Sequence, residues 1–403
     1  MTMVLIAITA GFGLIAWQKP TTGLLILIAT LPSYLLRIEI LGIPTTLLEM
    51  MLLTLILTWG VRHVRSLRFR YPVTTITKPI ILLILAATIS LIVAPNTTAA
   101  LGVCKAYFIE PIILFLIIRH ELTRANITPQ QIYKALSLSA IIVSLVAITQ
   151  YITGAGIPIP WDIERRVTSI FDYPNAVGLF LGPIVMLSTL SVLNAPGNLL
   201  TRIKQNSILS AASILGVIAI ILAQSEATIV ALVATLLIAG LINKSTRKYS
   251  IALGILLAIA TPLTPPLFQK LTLQDYSGGV RLSQWSETAD LLKDKWLLGA
   301  GLSGYPSALE PYHLATHLEI FQYPHNILLN FWVELGLLGV IAIAWLATKL
   351  TRSPNIIPAL ALLEAFIHGL VDVPYFKNDL AILVWILIAL ALYDRTKTHH
   401  KKV

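Results

Sequence analysis

The sequence predicts an all-α polytopic membrane protein of about twelve or thirteen transmembrane helices, with one large, partly helical loop on the exterior side. Three observations predict it. Of 403 residues, 56 % are hydrophobic and only 12 % charged, and the mean hydropathy is +0.82. A soluble domain carries about 25 % charged residues, so most of this surface must face lipid. Apolar runs of roughly 17–20 residues, each long enough to span hydrocarbon as a helix, recur from end to end. Lysines and arginines gather in short gaps between these runs, as the positive-inside rule expects. Helices are the form in which a lipid-embedded backbone satisfies itself, and no alternating barrel pattern appears.

In chain order the expected membrane segments lie near 2–17, 21–36, 44–61, 79–94, 100–118, 132–152, 174–193, 207–223, 226–243, 249–264, 325–347, 355–373 and 379–393. The count is twelve or thirteen depending on whether the first two form one re-entrant hairpin. The apolar start, without a basic leader or small-residue cleavage site, is expected to be a retained membrane segment. Arg62, Arg65, Arg68, Arg70 and Lys78 flank one gap, Lys244, Arg247 and Lys248 another, and Lys349 and Arg352 a third. Arg395, Lys397, Lys401 and Lys402 mark the tail. All fall on one side, which is therefore expected to be cytoplasmic. The expected blocks are 1–153 (N-terminal helices), 154–264 (helices with an arginine-containing exterior loop), 265–324 (the large exterior loop), 325–393 (C-terminal helices) and 394–403 (a basic cytoplasmic tail). The net charge of +10 is spent on sidedness; no basic groove or aromatic-basic module suggests nucleic acid. Cys104 is the only cysteine, which excludes internal disulfides and cysteine metal clusters.

The large loop carries four Lys/Arg (Lys270, Arg281, Lys293, Lys295) against six acids, in keeping with an exterior position. Trp285, Ala289, Leu292 and Trp296 recur at i, i+4, i+7 and i+11, which predicts a helix with one apolar face. Ser277-Gly278-Gly279 reads as its start and places Arg281 in the first turn. One reading is a helix anchored on the membrane surface by tryptophans. The other is an anion site, in which free N–H groups, the dipole and the forked donor of Arg281 meet a diphosphate.

His325 stands where this polar stretch meets an apolar helix. It is either a histidine satisfying a loop carbonyl or a general base, since imidazole titrates near neutral pH and accepts a hydroxyl proton. Glu334, nine residues on, falls on the opposite helix face at about 100° per residue; it is expected to pair with another helix. Arg165-Arg166 in the second exterior loop run against the positive-inside trend, as surface arginines beside head groups or as a phosphate clamp. Glu364, His368 and Asp372, spaced i, i+4, i+8, predict one polar stripe on an apolar helix, either an interhelical link or a proton or substrate path. No Asp-x-Asp pair occurs, so phosphate chemistry here would fall to arginines rather than to a divalent ion.

Three stretches resemble the O-antigen ligase and O-antigen polymerase superfamily of polytopic bacterial membrane glycosyltransferases. Arg166 is followed by Phe171, Pro174 and Asn175; Gly279-Val280-Arg281-Leu282-Ser283-Gln284-Trp285 by Trp296-Leu297-Leu298-Gly299-Ala300-Gly301; and His325-Asn326 by Glu334-Leu335-Gly336-Leu337-Leu338-Gly339. Order, spacing and sidedness match over roughly 150–375. Ser169 stands where the family commonly has glycine, and Tyr323-Pro324 where it has small or polar residues.

The resemblance implies a glycosyltransferase type C-like fold in the bacterial cytoplasmic membrane and a role in surface polysaccharide biosynthesis. Such enzymes move a glycan from a polyprenyl diphosphate carrier to a hydroxyl of a lipid, glycan or protein on the outer face. By this analogy His325 is the general base, and Arg281, Arg166 and Arg165 bind the diphosphate. Asn326, Trp285, Glu334, Asn175, His368 and Asp372 are expected to support them. The resemblance implies neither a metal nor another cofactor, and membrane lipids are the remaining partners. A transporter or flippase of lipid-linked glycans, using the Glu364/His368/Asp372 stripe for proton coupling, is the alternative from another functional class.

Overall fold

The computed structural model describes residues 2–40, 42–64, 75–314 and 319–394. The expected cytoplasmic markers Arg65, Arg68 and Arg70, and the basic tail from Arg395, lie outside the described residues. Helix α1 (Thr2–Gln18) and helix α2 (Pro20–Ala29) fold back on each other around Lys19. Gly23 permits this, since a Cβ there would lie 2.9 Å from the Ala16 Cβ. The second expected span stops early, at Ala29, and Pro32 sits in a short 3-10 turn, Leu31–Leu35. An antiparallel hairpin follows, β1 (Arg37–Ile40) with β2 (Ile43–Thr46), in the register Arg37↔Thr46 to Ile40↔Ile43. It is a small departure from an all-helical chain. Arg-Ile-Glu-Ile alternates with the period of a strand, burying Ile38 between exposed Arg37 and Glu39.

The remaining helices follow in order. They are α3 (Leu47–Val64), α4 (Thr77–Val93), α5 (Thr97–Cys104), α6 (Glu110–Thr123), α7 (Pro129–Thr153), α8 (Pro174–Leu193), α9 (Leu199–Gln205), α10 (Ser207–Leu222) and α11 (Glu226–Ile242). Then come α12 (Arg247–Ala260), α13 (Pro265–Leu271), α14 (Tyr276–Lys295), α15 (Tyr305–Leu309), α16 (Ile327–Leu350), α17 (Ile356–His368) and α18 (Asn378–Ala391). A π-helical turn, Lys105–Ile109, joins α5 to α6, so Thr97–Thr123 is one long rod. That rod, α7, α8 and α16 are each long and apolar enough to cross a membrane, and α9–α10 forms a further candidate bent by 101°. Six other apolar helices have 10–17 residues. Among the described residues length alone therefore does not reach twelve or thirteen spans, because turns at Gly, Pro and polar residues shorten several of the expected segments.

Helices α8 and α18 form the centre. In α8 83 % of the best apolar window is buried, and α18 is buried almost throughout from Asp379 to Ala391. The first packs on α7, α10 and α17, the second on α6 and α17, with Phe115 meeting Trp385 edge-on at 5.3 Å. Between apolar helices in lipid, close approach is set by small residues and polar links. A Cβ at Gly178 would overlap the hydroxyls of Ser225 and Thr228 on the α11 side, and one at Gly182 would overlap the Glu364 carboxylate of α17. By contrast α12 buries none of its residues.

The large loop has its own small core of Leu291, Leu292, Ala300, Tyr305 and Leu309, closed by Val333 of α16. The period of the α14 helix is as expected, but its inward face is not. Gln284, Glu287, Thr288, Leu291 and Leu292 are buried, whereas Ala289 is exposed and Trp296 is 52 % exposed. Polar residues take the inward face because each finds a partner there. Thr288 bonds Tyr305 at 2.8 Å and Glu287 meets His313 at 3.0 Å. Burial pushes the Tyr305 phenol up to about 12, the Thr288 contact opposing it.

The stretch Trp296 to Gly304 is wedged into a break in α16. Gly336 has φ 65° and ψ −171°, which opens the helix. Leu337 N then donates to Leu297 O (3.0 Å) and Ala300 N to Val333 O (2.7 Å). Glu334 accepts from Ser303 N at 2.7 Å, and Ser90 of α4 bridges the Glu334 carbonyl and Leu302 N. The expected pairing of Glu334 with another helix is thus corrected: the carboxylate caps the inserted loop, because the broken helix lets that loop reach it.

Candidate functional site

Helix α14 begins at Tyr276 with Asp275 as its cap, whose side chain accepts from Gly278 N at 3.0 Å. Arg281 is therefore in the second turn, not the first, and its guanidinium folds back onto Ser277 of the first turn. Its Nε donates to Val371 O at 2.9 Å, and its Nη1 reaches Ser277 O and Oγ at 3.3 and 3.2 Å. One turn on, Gln284 Nε2 donates to Tyr323 O (3.1 Å) and Trp285 Nε1 to Pro324 O (2.8 Å). This face of α14 thereby fixes the two residues before His325.

His325 has φ 47°, a left-handed conformation uncommon outside glycine. Held from before by Gln284 and Trp285, it is held from behind by Asn326, which caps α16 by accepting from Leu328 N and Leu329 N at 3.0 and 3.1 Å. Asn326 also donates to Leu370 O at 3.0 Å, and Ile327 N to Gly369 O at 2.7 Å. His325 Nδ1 lies 3.5 Å from Asp372 Oδ1, close enough for an ion pair but longer than a hydrogen bond. The imidazole remains 30 % exposed against 9 % for the aspartate, and the ring of Phe321 meets its edge at 5.1 Å.

Residues 369–377, which join α17 to α18, are thus a hub. Their carbonyls accept from Ile327 (Gly369), Asn326 (Leu370), Arg281 (Val371) and Tyr323, whose hydroxyl donates to Phe376 O at 3.1 Å. Burial holds the Tyr323 phenol well above its usual value, so it stays a neutral donor. Asp372 faces His325 and accepts from Val373 N at 2.8 Å.

The expected single stripe of Glu364, His368 and Asp372 is corrected, because α17 ends at His368 and Gly369 turns the chain. Glu364 is buried against Gly182 of α8. His368 Nδ1 lies 3.4 Å from Thr228 Oγ1, which bonds Ser225 at 2.7 Å. Asp372 alone reaches His325.

Gln150 shapes the loop before α8: its amide accepts from Thr168 N and Ser169 N (3.1 and 2.7 Å) and donates to Gly156 O and Ser169 O (both 2.8 Å). Ser169 has φ 56°, which accounts for the glycine common at this position in the resembling family; here its hydroxyl donates to Val143 O at 2.6 Å. The adjacent arginines diverge. Arg165, with φ 52°, lies against Gly154 at the end of α7. Arg166 stacks over Trp161 at 4.9 Å and donates from Nε to Ala223 O at 3.4 Å. Arg166 is thus anchored to the turn between α10 and α11 and is not brought onto the hub, whereas Arg281 and His325 touch the hub directly. Asn175 sits in the first turn of α8.

Sequence reasoning did not find the hub, since main-chain carbonyls leave no mark in a sequence. It also missed Gln150, Gln284, Tyr323 and Lys377. A lysine in the α17–α18 connection ran against the charge trend just as Arg165-Arg166 did, and that was its signal. Among the described residues no three His, Cys, Asp or Glu side chains are gathered so as to hold a metal ion.

Taken together, the long apolar helices and the buried polar seams between them define a multi-pass α-helical membrane protein whose candidate site lies at the end of the bundle bearing the large loop. Residues 211–344, about a third of the chain, match the family model described as O-antigen ligase, and this match supports membership of the O-antigen ligase family. The matched stretch includes Arg281, Trp285, His325, Asn326 and Glu334, and stops short of the hub. No curated protein matches the chain.

Proposed function

We propose that this protein transfers a glycan from a polyprenyl diphosphate carrier to an acceptor hydroxyl on the outer face of the bacterial cytoplasmic membrane, as an O-antigen ligase or polymerase does. The observation that carries the reading is the meeting of His325, Asp372 and Arg281 on one short connector. With Nδ1 turned to the Asp372 carboxylate, Nε2 is the nitrogen left to take a proton. The acceptor hydroxyl attacks the anomeric carbon and gives its proton to Nε2. The bond from that carbon to the diphosphate oxygen breaks, and its electron pair leaves on the phosphate. The configuration inverts in one displacement.

Negative charge grows on the departing diphosphate, where preorganised donors are most effective. Arg281 spends Nε and Nη1 on the protein, leaving Nη2 for an anion, and Arg166 supplies a second guanidinium from the neighbouring loop. Arg165, whose guanidinium lies against Gly154, is a further donor in this reading. Arginines take this role in a chain without an Asp-x-Asp pair, since their planar fork matches phosphate geometry. The decisive experiment uses purified protein in nanodiscs with a polyprenyl diphosphate-linked glycan and an acceptor. His325→Ala should abolish transfer while the protein inserts and keeps its unfolding temperature; transfer at the wild-type rate would sink the assignment.

A further inference from the structure

Lys377 is the last residue of the hub and stands just before α18. Three aromatic rings surround its ammonium: Tyr173 at 4.5 Å, Phe171 at 5.7 Å and Tyr34 at 5.9 Å from the ring centroids. Ring faces attract a cation, but they offer no lone pairs to the three N–H donors of a lysine. Among the described residues no carboxylate lies within ion-pair distance of Nζ. Asp379, buried in the first turn of α18, acts on Lys377 from farther off. The Tyr173 phenol oxygen accepts one of the three ammonium N–H donors.

Its place in the chain gives this cation meaning. Phe171 and Tyr173 close the loop that begins with Arg166, while Lys377 closes the connector that holds Arg281 through Val371 and faces His325 through Asp372. Lys377 therefore sits where the two arginine-bearing segments come together. A half-buried ammonium with rings on its flanks is poorly hydrated, so it gains more than a surface lysine from an anionic oxygen.

We propose that Lys377 is a third phosphate-binding cation, which holds an oxygen of the carrier diphosphate while the aromatic rings aim it. This rests on the glycan-transfer reading above. Lys377 is a binding and positioning group for the donor, and no proton passes through it.

The test compares Lys377→Met, Lys377→Gln and Lys377→Arg in nanodiscs of zwitterionic lipid. Losing one charge-assisted hydrogen bond to phosphate should raise donor KM by about ten-fold, with acceptor KM and the unfolding temperature held. Competition by glycan-free polyprenyl diphosphate should weaken towards that of polyprenyl monophosphate, and Lys377→Arg should recover most of the preference. A donor KM within about two-fold of wild type in both neutral variants overturns the proposal, since a hydrogen bond to a charged group is worth more than that. So does an equal loss of donor and acceptor affinity, which would mark Lys377 as a staple between loops. A defect that appears only when phosphatidylglycerol is added also overturns it, since the phosphate would then be a head group. Binding of polyprenyl diphosphate, followed by the shift in unfolding temperature, is read without turnover. If His325→Ala keeps transferring glycan the reaction falls, while the Lys377 binding result stands or falls on its own.

Discussion

Replacing Gly336 by alanine tests how the large loop is seated. An alanine would have to adopt φ 65° and ψ −171°, a region populated almost only by glycine and costing about 1–3 kcal/mol otherwise. Its Cβ would overlap the Leu297 carbonyl oxygen and come within 2.8 Å of Leu298 Cα and its carbonyl carbon. These are main-chain atoms, so no rotamer change relieves the clash. Relief requires withdrawing the loop, which breaks the Leu337–Leu297 and Ala300–Val333 hydrogen bonds, each worth about 1 kcal/mol. The strain and lost bonds together come to about 3–5 kcal/mol. Thermal unfolding in nanodiscs measures it, with Gly254→Ala as control. Gly254 has no heavy atom within 4 Å of a would-be Cβ and lies in the interior of α12, where alanine is favoured by about 1 kcal/mol. Gly336→Ala should unfold well below wild type and lose transfer, whereas Gly254→Ala should match or exceed it. Equal unfolding temperatures for the two variants would refute the insertion of the loop into α16.

Arg281→Ala should weaken polyprenyl diphosphate binding at least ten-fold, the cost of a charge-assisted contact; unchanged carrier affinity and turnover would remove Arg281 from the site. Asp372→Asn should lower kcat by roughly 10²–10⁴ with little change in donor KM, as happens when a histidine base loses the carboxylate that fixes its tautomer, and steady-state kinetics at saturating donor checks this. Gly178→Ala should destabilise the protein by about 1–3 kcal/mol through overpacking against Ser225 and Thr228. Adding Thr228→Ala should recover part of that loss in thermal unfolding, and no recovery would place the strain elsewhere.

The legible parts of this protein were those written in side chains at short range. The junction of polar stretch and apolar run at His325 marked the start of α16, the helical spacing of Trp285, Ala289, Leu292 and Trp296 drew α14, and the arginines and His325 stood out as charges where charge is costly. The misread parts depended on what the backbone does. The Glu364/His368/Asp372 spacing fits one helix face, but Gly369 ends the helix, so three aligned residues reach three different partners. The face of α14 was misjudged because Gln284, Glu287 and Thr288 are polar and yet buried, each with a partner far away in sequence. Glu334 was assigned to a helix because nothing in Gly336 alone told of a loop entering there. Glu364 and His368 remain on α17 while Asp372 lies past Gly369 on the connector, so the three do not form one helical stripe.

The hub has a consequence for how such a chain is made. Residues 369–377 are synthesised after Arg281 and His325, yet they supply the atoms that hold both. During synthesis these groups are made before their orienting partners. The α18 helix, buried almost throughout and packed on α6 and α17, must then find its slot among helices made before it. The contacts of the candidate site are therefore complete only when the α17–α18 hairpin is docked. A chain whose α17–α18 hairpin has not docked carries Arg281 and His325 without the Val371 carbonyl and the Asp372 carboxylate that orient them.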